Sequence, residues 1–150
     1  MRRKWIILIV IGVAAAGIGI YGWKEYHRTN SDLADSRSAY EVSAADLIKE
    51  FSGNDTAANK KYLGKIITVE GLIKKIDHDE EGFYTIEVGD TTDLSSVRCA
   101  IDSLYARDAA KLKPISSVRI KGIVTGFNKD ELGLGSDVQL SRCVIEKRIK

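Results

Sequence analysis

The side chains that could carry out chemistry in this sequence of 150 residues are few and widely separated. Its histidines are His27 and His78, and its cysteines are Cys99 and Cys143. No C-x-x-C pair accompanies them, so the sequence lacks the ligand spacing of a zinc site. No serine lies in a G-x-S-x-G elbow or has an eligible histidine partner, although a nucleophile needs a base within hydrogen-bond reach. We therefore expect no enzymatic activity, no metal and no cofactor.

Carboxylates cluster around His78, in the acidic segment from Asp77 to Glu81. Four carboxylates in five positions could collect a divalent cation weakly, since hard cations prefer oxygen ligands. The EF-hand pattern is absent, and we favour a solvated hairpin turn in which His78 is neither a ligand nor a base. Asp90 and Asp93 present the same two alternatives.

The elements that must position these groups follow a hydrophobic N-terminal run. Residues 5–23, WIILIVIGVAAAGIGIYGW, carry no charge and as a helix would extend about 28 Å, close to the thickness of a bilayer's hydrocarbon core. Aromatic residues stand at both ends, where they favour the membrane interfaces. The run therefore predicts a transmembrane helix. A cleaved secretory signal is the alternative, because Ala14 to Ala16 supply small residues for a cleavage site.

The charge of the chain is unevenly distributed along it. The formal net charge is +2, but Arg2, Arg3 and Lys4 precede the hydrophobic run. Without these three, 20 basic residues face 21 acidic ones, which gives a net charge of −1 beyond the run. The basic residues before the run favour a cytoplasmic N-terminus. The predicted organisation is a cytoplasmic N-terminus at residues 1–4, a transmembrane signal-anchor helix at 5–23, a juxtamembrane linker at 24–40 and an extracytoplasmic domain at 41–150.

The domain begins with two short predicted helices, one capped by Ser43 and the other by Asn54 or Asp55. From residue 65 the hydrophobic period changes to two, which is typical of strands. Strands are predicted at about 65–75, 84–88, 97–101, 118–126 and 138–145, with a helix at 103–113 that turns Leu104, Ala109 and Leu112 inward. Five strands with a helix between the third and fourth, and glycines within the long strands, indicate a mainly β, five-stranded OB-fold Greek-key barrel. On pattern alone, an SH3-like barrel or a sandwich is an alternative.

Several segments carry a family resemblance. AANKKYLGKIITVEGLIKKID at 57–77 is followed by VRCAI at 97–101, SVRIKGIVTG at 117–126 and DVQLSRCVIEK at 137–147. Together these segments resemble the tRNA-anti-like OB-fold family, over about residues 43–147. The resemblance implies an OB-fold and a bacterial envelope protein that bears a binding domain behind an anchor or secretion signal. It supplies no established ligand, because the family's name reflects fold kinship with anticodon-binding domains.

Cys99 and Cys143 lie in the third and fifth predicted strands, which are neighbours in an OB-fold. An even number of cysteines in an exported domain permits one disulfide, and a loop of about 43 residues would make it worth on the order of 3 to 4 kcal/mol. The alternative is two buried free thiols that act as small apolar residues. The sequence leaves both open.

The expected function is binding by the barrel face and its loops, 77–82 and 128–137, in a module held in the inner membrane by residues 5–23. We expect a protein partner or a small ligand. The alternative is single-stranded nucleic acid, which OB-folds bind with aromatic and basic residues. The net charge of −1 disfavours it, because phosphate binding needs a clustered positive surface. The candidate residues of the face are Lys74, Lys75, Arg98, Lys121, Phe127 and Lys129.

Overall fold

The computed structural model describes residues 33–129 and 135–146. Its helices and strands, numbered in chain order, are β1 (Tyr40–Ser43), α1 (Ala44–Gly53), α2 (Asp55–Tyr62), β2 (Ile66–His78), β3 (Tyr84–Gly89), β4 (Ser96–Ile101), α3 (Ala106–Ala109), β5 (Ser117–Asn128) and β6 (Asp137–Glu146). The predicted transmembrane segment 5–23 and part of the predicted binding loop, 130–134, lie outside the described residues. Within the described part of the chain, no helix is both long enough and apolar enough to cross a membrane.

Five of the strands close into a barrel. In the order β2-β3-β4-β6-β5 each strand pairs with the next, and β5 pairs back onto β2. These pairings are antiparallel except that of β4 with β6, which is parallel. The result is a five-stranded Greek-key barrel, the OB-fold architecture. The prediction of a mainly β, five-stranded barrel is confirmed.

The barrel core follows from the two-residue period of the strands, because alternate side chains point to opposite faces of a sheet. One inward row runs across β2, β3, β4 and β6, where Ile73 pairs with Val88, Val88 with Val97, and Val97 with Val138. All four side chains are fully buried. The core therefore continues around the barrel wall in register.

Helix α1 adds its apolar side to this core. Its N-cap is Ser43, whose hydroxyl accepts a hydrogen bond from the Asp46 backbone N–H at 3.1 Å and donates one to the Asp46 carboxylate at 2.7 Å. Such a cap satisfies an N–H that the first helical turn would otherwise leave unpaired. Leu47, Ile48 and Phe51 are buried, as their spacing predicts. The second helix, α2, is capped by Asn54.

Two bulges decide which side chains face outward. On β2, Ile73 pairs with Val88 but Lys75 pairs with Glu87, so Lys74 is the extra residue. On β6, Leu140 and Cys143 are both buried although they are three positions apart. The register shifts between these two, where Arg142 has a φ of 52°. A bulge inserts one residue and bends the strand, as closing a barrel requires.

The segment between β4 and β5 differs from its prediction. In place of a helix over 103–113, the chain forms a 3-10 turn at Ser103–Tyr105 followed by the single turn of α3. Asp102 caps the 3-10 turn by accepting a hydrogen bond from the Leu104 N–H at 3.1 Å. Ala109 is buried, but Leu104 is 68% exposed, so the prediction that Leu104 faces inward is wrong. With so short a helix, residue 104 lies before the helical turn rather than on its inner side.

The folded unit begins at Leu33, before the residue at which the sequence starts the domain. Residues 33–39, here called the strap, lie against the outside of the barrel, and β1 then pairs in parallel with the first half of β2. Leu33 is only 5% exposed, and the Ser38 hydroxyl lies 2.6 Å from the Thr68 hydroxyl. The Ala39 N–H donates to the Ile66 carbonyl at 2.7 Å. These contacts tie the end of the predicted linker to the barrel.

Candidate binding site

OB-folds commonly bind their ligands on the outer side of the two strands that correspond here to β3 and β4. We call this surface, together with the adjoining outward residues of β2 and β6, the open face. An outward row crosses it, in which Lys75 pairs with Glu87, Glu87 with Arg98, and Arg98 with Gln139. The structure therefore places two of the six predicted residues, Lys75 and Arg98, in one row with an acidic residue between them.

The two predicted cations of this row, Lys75 and Arg98, are both paired with carboxylates. The Lys75 ammonium lies 2.7 Å from the Asp77 carboxylate, and this hydrogen bond raises the pKa of Lys75. The Arg98 guanidinium lies 3.4 Å from the Glu87 carboxylate and 3.8 Å from that of Asp137. The open face thus presents three acidic groups around two basic ones, and its positive charge is compensated within the protein.

Lys74 is bound to the protein itself. As the bulge residue of β2, it extends its ammonium to the loop between β3 and β4, where it donates to the Asp93 carbonyl at 2.6 Å and to the Ser95 carbonyl at 2.9 Å. Carbonyl oxygens are strong acceptors for a charged donor. Lys74 therefore fixes a loop and is not directed toward a ligand.

Two other predicted residues do not belong to the open face. Lys121 lies on the opposite side of the barrel, is 8% exposed, and donates to the Ala34 carbonyl of the strap at 3.1 Å. The ring of Phe127 packs against the buried ring of Phe51, with centroids 5.2 Å apart. Lys121 therefore holds the strap, and Phe127 contributes to the core. Lys129 is exposed just after β5.

An exposed aromatic residue that the sequence analysis missed lies beside the open face. Phe83, in the turn between β2 and β3, is 50% exposed. The Asp79 carboxylate accepts hydrogen bonds from the Glu81 N–H at 3.1 Å and from the Phe83 N–H at 2.8 Å, which fixes this turn. The neighbouring rings of His78 and Tyr84 pair across the strands with centroids 4.5 Å apart. The sequence could have indicated Phe83, because it is an aromatic residue directly before β3, in the predicted turn.

The acidic turns organise the backbone. The Asp90 carboxylate accepts hydrogen bonds from both the N–H and the hydroxyl of Thr92, at 2.9 and 2.7 Å, and these bonds lower the pKa of Asp90. The Asp79 carboxylate likewise accepts backbone hydrogen bonds in its own turn. Among the described residues, no group of three or more His, Cys, Asp or Glu side chains could hold a metal ion.

Cys99 and Cys143 are both fully buried free thiols on the paired strands β4 and β6. Burial raises the pKa of Cys143, and a hydrogen bond with Cys99 raises it further. Gly122 of β5 lies beneath this pair, since a Cβ at that position would come within 2.6 Å of the Cys143 sulfur. The two sulfurs therefore share one pocket of the core, and the disulfide stays a prediction.

The opposite side of the barrel, formed by the outward residues of β2, β5 and β6 beside the strap, is here called the strapped face. Arg119 lies at its centre, with its guanidinium 3.2 Å from the Glu41 carboxylate, 3.6 Å from that of Glu70 and 3.3 Å from that of Glu146. The ammonium of Lys121 lies 2.9 Å from the Glu146 carboxylate. These ion pairs connect β1, β2, β5 and β6.

Two cavities adjoin Arg119 on the strapped face. One, of about 270 Å³, is lined by Glu70, Asp108, Leu112, Ser117, Val118, Arg119, Ile145 and Glu146. The other, of about 470 Å³, is lined by Glu41, Val42, Ser43, Thr68, Glu70 and Arg119. Glu70 and Arg119 line both cavities, so the ion pair between these two residues lies where the cavities adjoin.

The closed order of the five strands defines an OB-fold protein. More particularly, residues 1–137 match the model of the tRNA_anti-like family, and the chain belongs to that family. No curated protein matches the sequence.

Three solved structures are similar to parts of this chain. A protein from Klebsiella pneumoniae subsp. pneumoniae, whose name proposes a nucleic acid-binding lipoprotein, is 18% identical with a TM-score of 0.54, over 70% of this chain and 91% of that one. Asparaginyl-tRNA synthetase from Entamoeba histolytica is 18% identical with a TM-score of 0.40, over 57% of this chain and 22% of that one. An OBody bound to hen egg-white lysozyme is 20% identical with a TM-score of 0.43, over 57% and 84%. The Klebsiella likeness supports the fold.

Proposed function

We propose that this chain is a membrane-anchored, non-catalytic OB-fold binding module of the bacterial envelope, and that its open face and adjoining loops bind a protein partner or a small ligand. The observation that carries the proposal is the charge compensation on the open face, where Lys75 and Arg98 are paired with carboxylates. A surface of alternating, locally paired charges suits a partner that carries both signs of charge.

The same observation disfavours nucleic acid as the ligand. Affinity for a phosphate backbone comes mainly from cations that neutralise phosphates and release counterions. To do so here, Arg98 would have to leave Glu87 and Asp137, and those two carboxylates would then face the phosphates. Lys74 and Lys121 are held by backbone carbonyls. The open face therefore offers phosphates little net attraction.

Anchoring is part of the proposal and rests on the sequence. The uncharged run at 5–23 has the length of a bilayer span, and its basic flank precedes it. The name of the Klebsiella protein, which proposes a lipoprotein, agrees with a membrane-attached protein of this fold. Recovery of the full chain in the membrane pellet after alkaline carbonate extraction is the expected result, and release into the supernatant would contradict it.

Photo-crosslinking from the open face tests the binding role. Ala100 is an exposed residue of β4 that pairs with Thr85 of β3. A benzophenone amino acid at position 100 of the full chain, irradiated in the bacterium's own membranes, should give one discrete adduct that mass spectrometry identifies. The matched control carries the same group in place of Lys49, which is exposed on α1.

Charge reversal at the same face gives the test its specificity. Arg98→Glu, combined with the group at position 100, should reduce the yield of the adduct, because it turns the compensated row acidic. An adduct of equal yield from position 49, or no adduct at position 100, would contradict the proposed role. A nucleic-acid adduct at position 100 would replace the proposed partner with the second candidate.

The second candidate is binding of a single-stranded oligonucleotide beside the same face, and the exposed Phe83 favours it. Base stacking on an aromatic ring is worth about 1–3 kcal/mol per base and tolerates any sequence. Phe83 lies in one of the loops that OB-folds use for oligonucleotides, and Lys129 begins another. Binding that is weakened by Phe83→Ala and by Lys129→Glu would support this candidate, and no such binding would exclude it.

A further inference from the structure

We propose that Cys99 and Cys143 form a disulfide bond inside the barrel, which joins β4 to β6, and that the bond forms while the chain folds in the bacterial envelope. The inference rests on the proposed envelope location, because disulfides form in oxidising compartments and cytosolic thiols are kept reduced. It goes beyond the binding role, since both cysteines are fully buried and neither lies on the open face.

The strand pairing places the two cysteines side by side in the core. β4 and β6 are parallel neighbours in which Cys99 pairs with Leu140 and Cys143 pairs with Ile101, so the two cysteines are diagonal neighbours. The two thiols are in hydrogen-bond contact. No change of strand pairing is therefore needed to bring the two sulfurs together.

The bulge in β6 turns Cys143 toward the core. With unbroken alternation after Leu140, position 142 would face inward, and an arginine occupies that position. Arg142 instead adopts a φ of 52°, the register shifts, and Cys143 becomes the next fully buried side chain. A disulfide spans a Cα separation of about 4.4 to 6.8 Å, and diagonal neighbours lie near the long end of this range. Bond formation therefore draws the two strands together at the bulge, where the ladder is already interrupted.

Gly122 of β5 supplies the space for the sulfur atoms. A Cβ at this position would lie 2.6 Å from the Cys143 sulfur and 3.3 Å from the Leu140 side chain, so any other residue would have to displace the sulfur. Gly122 is not among the glycines with a positive φ, so its backbone conformation alone does not call for glycine. The missing side chain therefore serves the pocket that the two cysteines share.

The redox step needs an oxidant from outside the chain, which is a small-molecule or protein disulfide. One cysteine attacks this disulfide to give a mixed disulfide, and the second cysteine resolves it. The two thiols lose two protons and two electrons, and the oxidant is reduced to two thiols. The attacking species is the thiolate, but burial raises the pKa of Cys143 and keeps both sulfurs away from an oxidant. The exchange therefore takes place before the barrel closes.

Thiol trapping of the full chain tests the bond in the cell. Bacteria are quenched in acid, and the denatured protein is treated with a polymer-linked maleimide that retards it on a gel by one step for each free thiol. We expect no retardation without reduction and two steps after reduction with dithiothreitol. Two steps without prior reduction, or a disulfide-linked dimer on a non-reducing gel, would contradict an intramolecular bond in the cell.

Refolding separates the bond from the location of the protein. The reduced full chain, unfolded in urea with detergent and refolded with oxidised glutathione, should lose both free thiols. The reduced chain that is already folded should lose them at least about tenfold more slowly in the same buffer, because its thiols are protonated and buried. Failure to form the bond on refolding would overturn the disulfide. A bond that forms on refolding but is absent from the cell would instead contradict the envelope location. Neither outcome would affect the crosslinking result at position 100.

Two variants test the bond through stability. Cys99→Ala and the double variant Cys99→Ala/Cys143→Ala both remove it, so they should unfold at nearly the same temperature, about 10 °C or more below the oxidised parent. Dithiothreitol should produce the same fall in the parent and no change in the variants. Losses that add from the single to the double variant, with a parent that is insensitive to dithiothreitol, would show two independent apolar residues and would overturn the proposal.

Discussion

The open face and the strapped face are two outer surfaces of one barrel, and they use similar residues in opposite ways. Each carries a row of lysine, arginine and carboxylate side chains across adjacent strands. On the open face, the Lys75 side chain is 62% exposed and its partner 38%. On the strapped face, the corresponding values for Lys121 and Glu146 are 10% and 26%. Burial of the Lys121 ammonium, rather than residue type, distinguishes this pair from that of Lys75, whereas the pairs formed by Arg98 and by Arg119 are partly buried on both faces.

This difference determines what each set of charges contributes. Exposed ion pairs are worth about 0 to 1 kcal/mol, because water screens them and the side chains lose entropy. A buried pair that loses one partner leaves an uncompensated charge, and that loss is strongly destabilising. We therefore assign the pair of Lys121 and Glu146 to attachment of the strap, whereas recognition by the charges of the open face stays a proposal.

The largest expected effect on stability is at Leu33. Leu33→Ala removes the buried apolar contact of the strap and should lower the free energy of unfolding by about 2 kcal/mol, the low end for a buried leucine. Urea denaturation followed by circular dichroism measures it. The control Leu94→Ala, at a 68% exposed leucine, should stay within about 0.5 kcal/mol of the parent. Equal effects at the two leucines would show that the strap adds nothing.

A smaller loss is expected from Glu146→Gln on the strapped face. The substitution keeps the shape of the side chain but removes the partner of Lys121, whose ammonium is buried. We expect a loss of about 1 kcal/mol at pH 7, the low end of the usual range because the Glu146 side chain is 26% exposed, and urea denaturation measures it. A value near zero would place this ion pair in the same class as those of the open face.

The pH dependence of that loss has a definite sign. The pKa of Glu146 in the folded protein is lowered, so its contribution is fully present above the pKa of the unfolded chain, about 4.3. The contribution disappears as the pH falls through the lower folded pKa. The stability difference between the parent and Glu146→Gln should therefore be constant from pH 6 to 8 and should shrink below about pH 4.5. A difference that grows on acidification would contradict this sign.

The smallest effect is expected on the open face. Arg98→Ala breaks two partly buried ion pairs of 3.4 and 3.8 Å, and because the Arg98 side chain is 43% exposed the change should lower the free energy of unfolding by less than about 1 kcal/mol. Thermal unfolding at low and high salt measures it. A loss above about 1 kcal/mol would show that Arg98 supports the barrel and would weaken the proposal that it serves recognition.

Much of the barrel could be predicted from the sequence because alternation with a period of two is a direct consequence of strand geometry. The bulges could also have been predicted, from the spacing of the apolar residues. Ile73 and Ile76 are three positions apart, as are Leu140 and Cys143, whereas an unbroken strand would separate inward residues by two or four. In β2, the three-residue spacing of Ile73 and Ile76 indicates a bulge between them, and a bulge would have predicted that Lys74 and Lys75 point in different directions.

The strap and β1 could not be predicted in this way. β1 has four residues, and its pairing with β2 is parallel and depends on contacts far along the chain. The strap is held by the backbone carbonyl of Ala34 and by the hydroxyl of Ser38, neither of which produces a hydrophobic period. For the same reason Lys121 was predicted to face a ligand, since nothing local indicates that a distant segment covers it.

The candidate site was predictable only in part. Lys75 and Arg98 are placed on one face by the register of β2, β3 and β4, which alternation approximates. Their neutralisation by Asp77, Glu87 and Asp137 depends on side-chain pairing across strands, which alternation within a strand does not give. The net charge of −1 that remains without Arg2, Arg3 and Lys4 nevertheless agrees with this neutralisation.

The salt dependence of oligonucleotide binding tests the central claim that the open face is not a phosphate-binding surface. Fluorescence anisotropy of labelled single-stranded DNA and RNA, titrated with the full chain between 50 and 200 mM salt, provides the measurement. We predict no saturable binding at about 150 mM salt. Saturable binding whose logarithmic salt slope is about −2 or steeper, as expected when about three phosphates of a single strand are neutralised, would contradict it if Arg98→Glu abolished that binding.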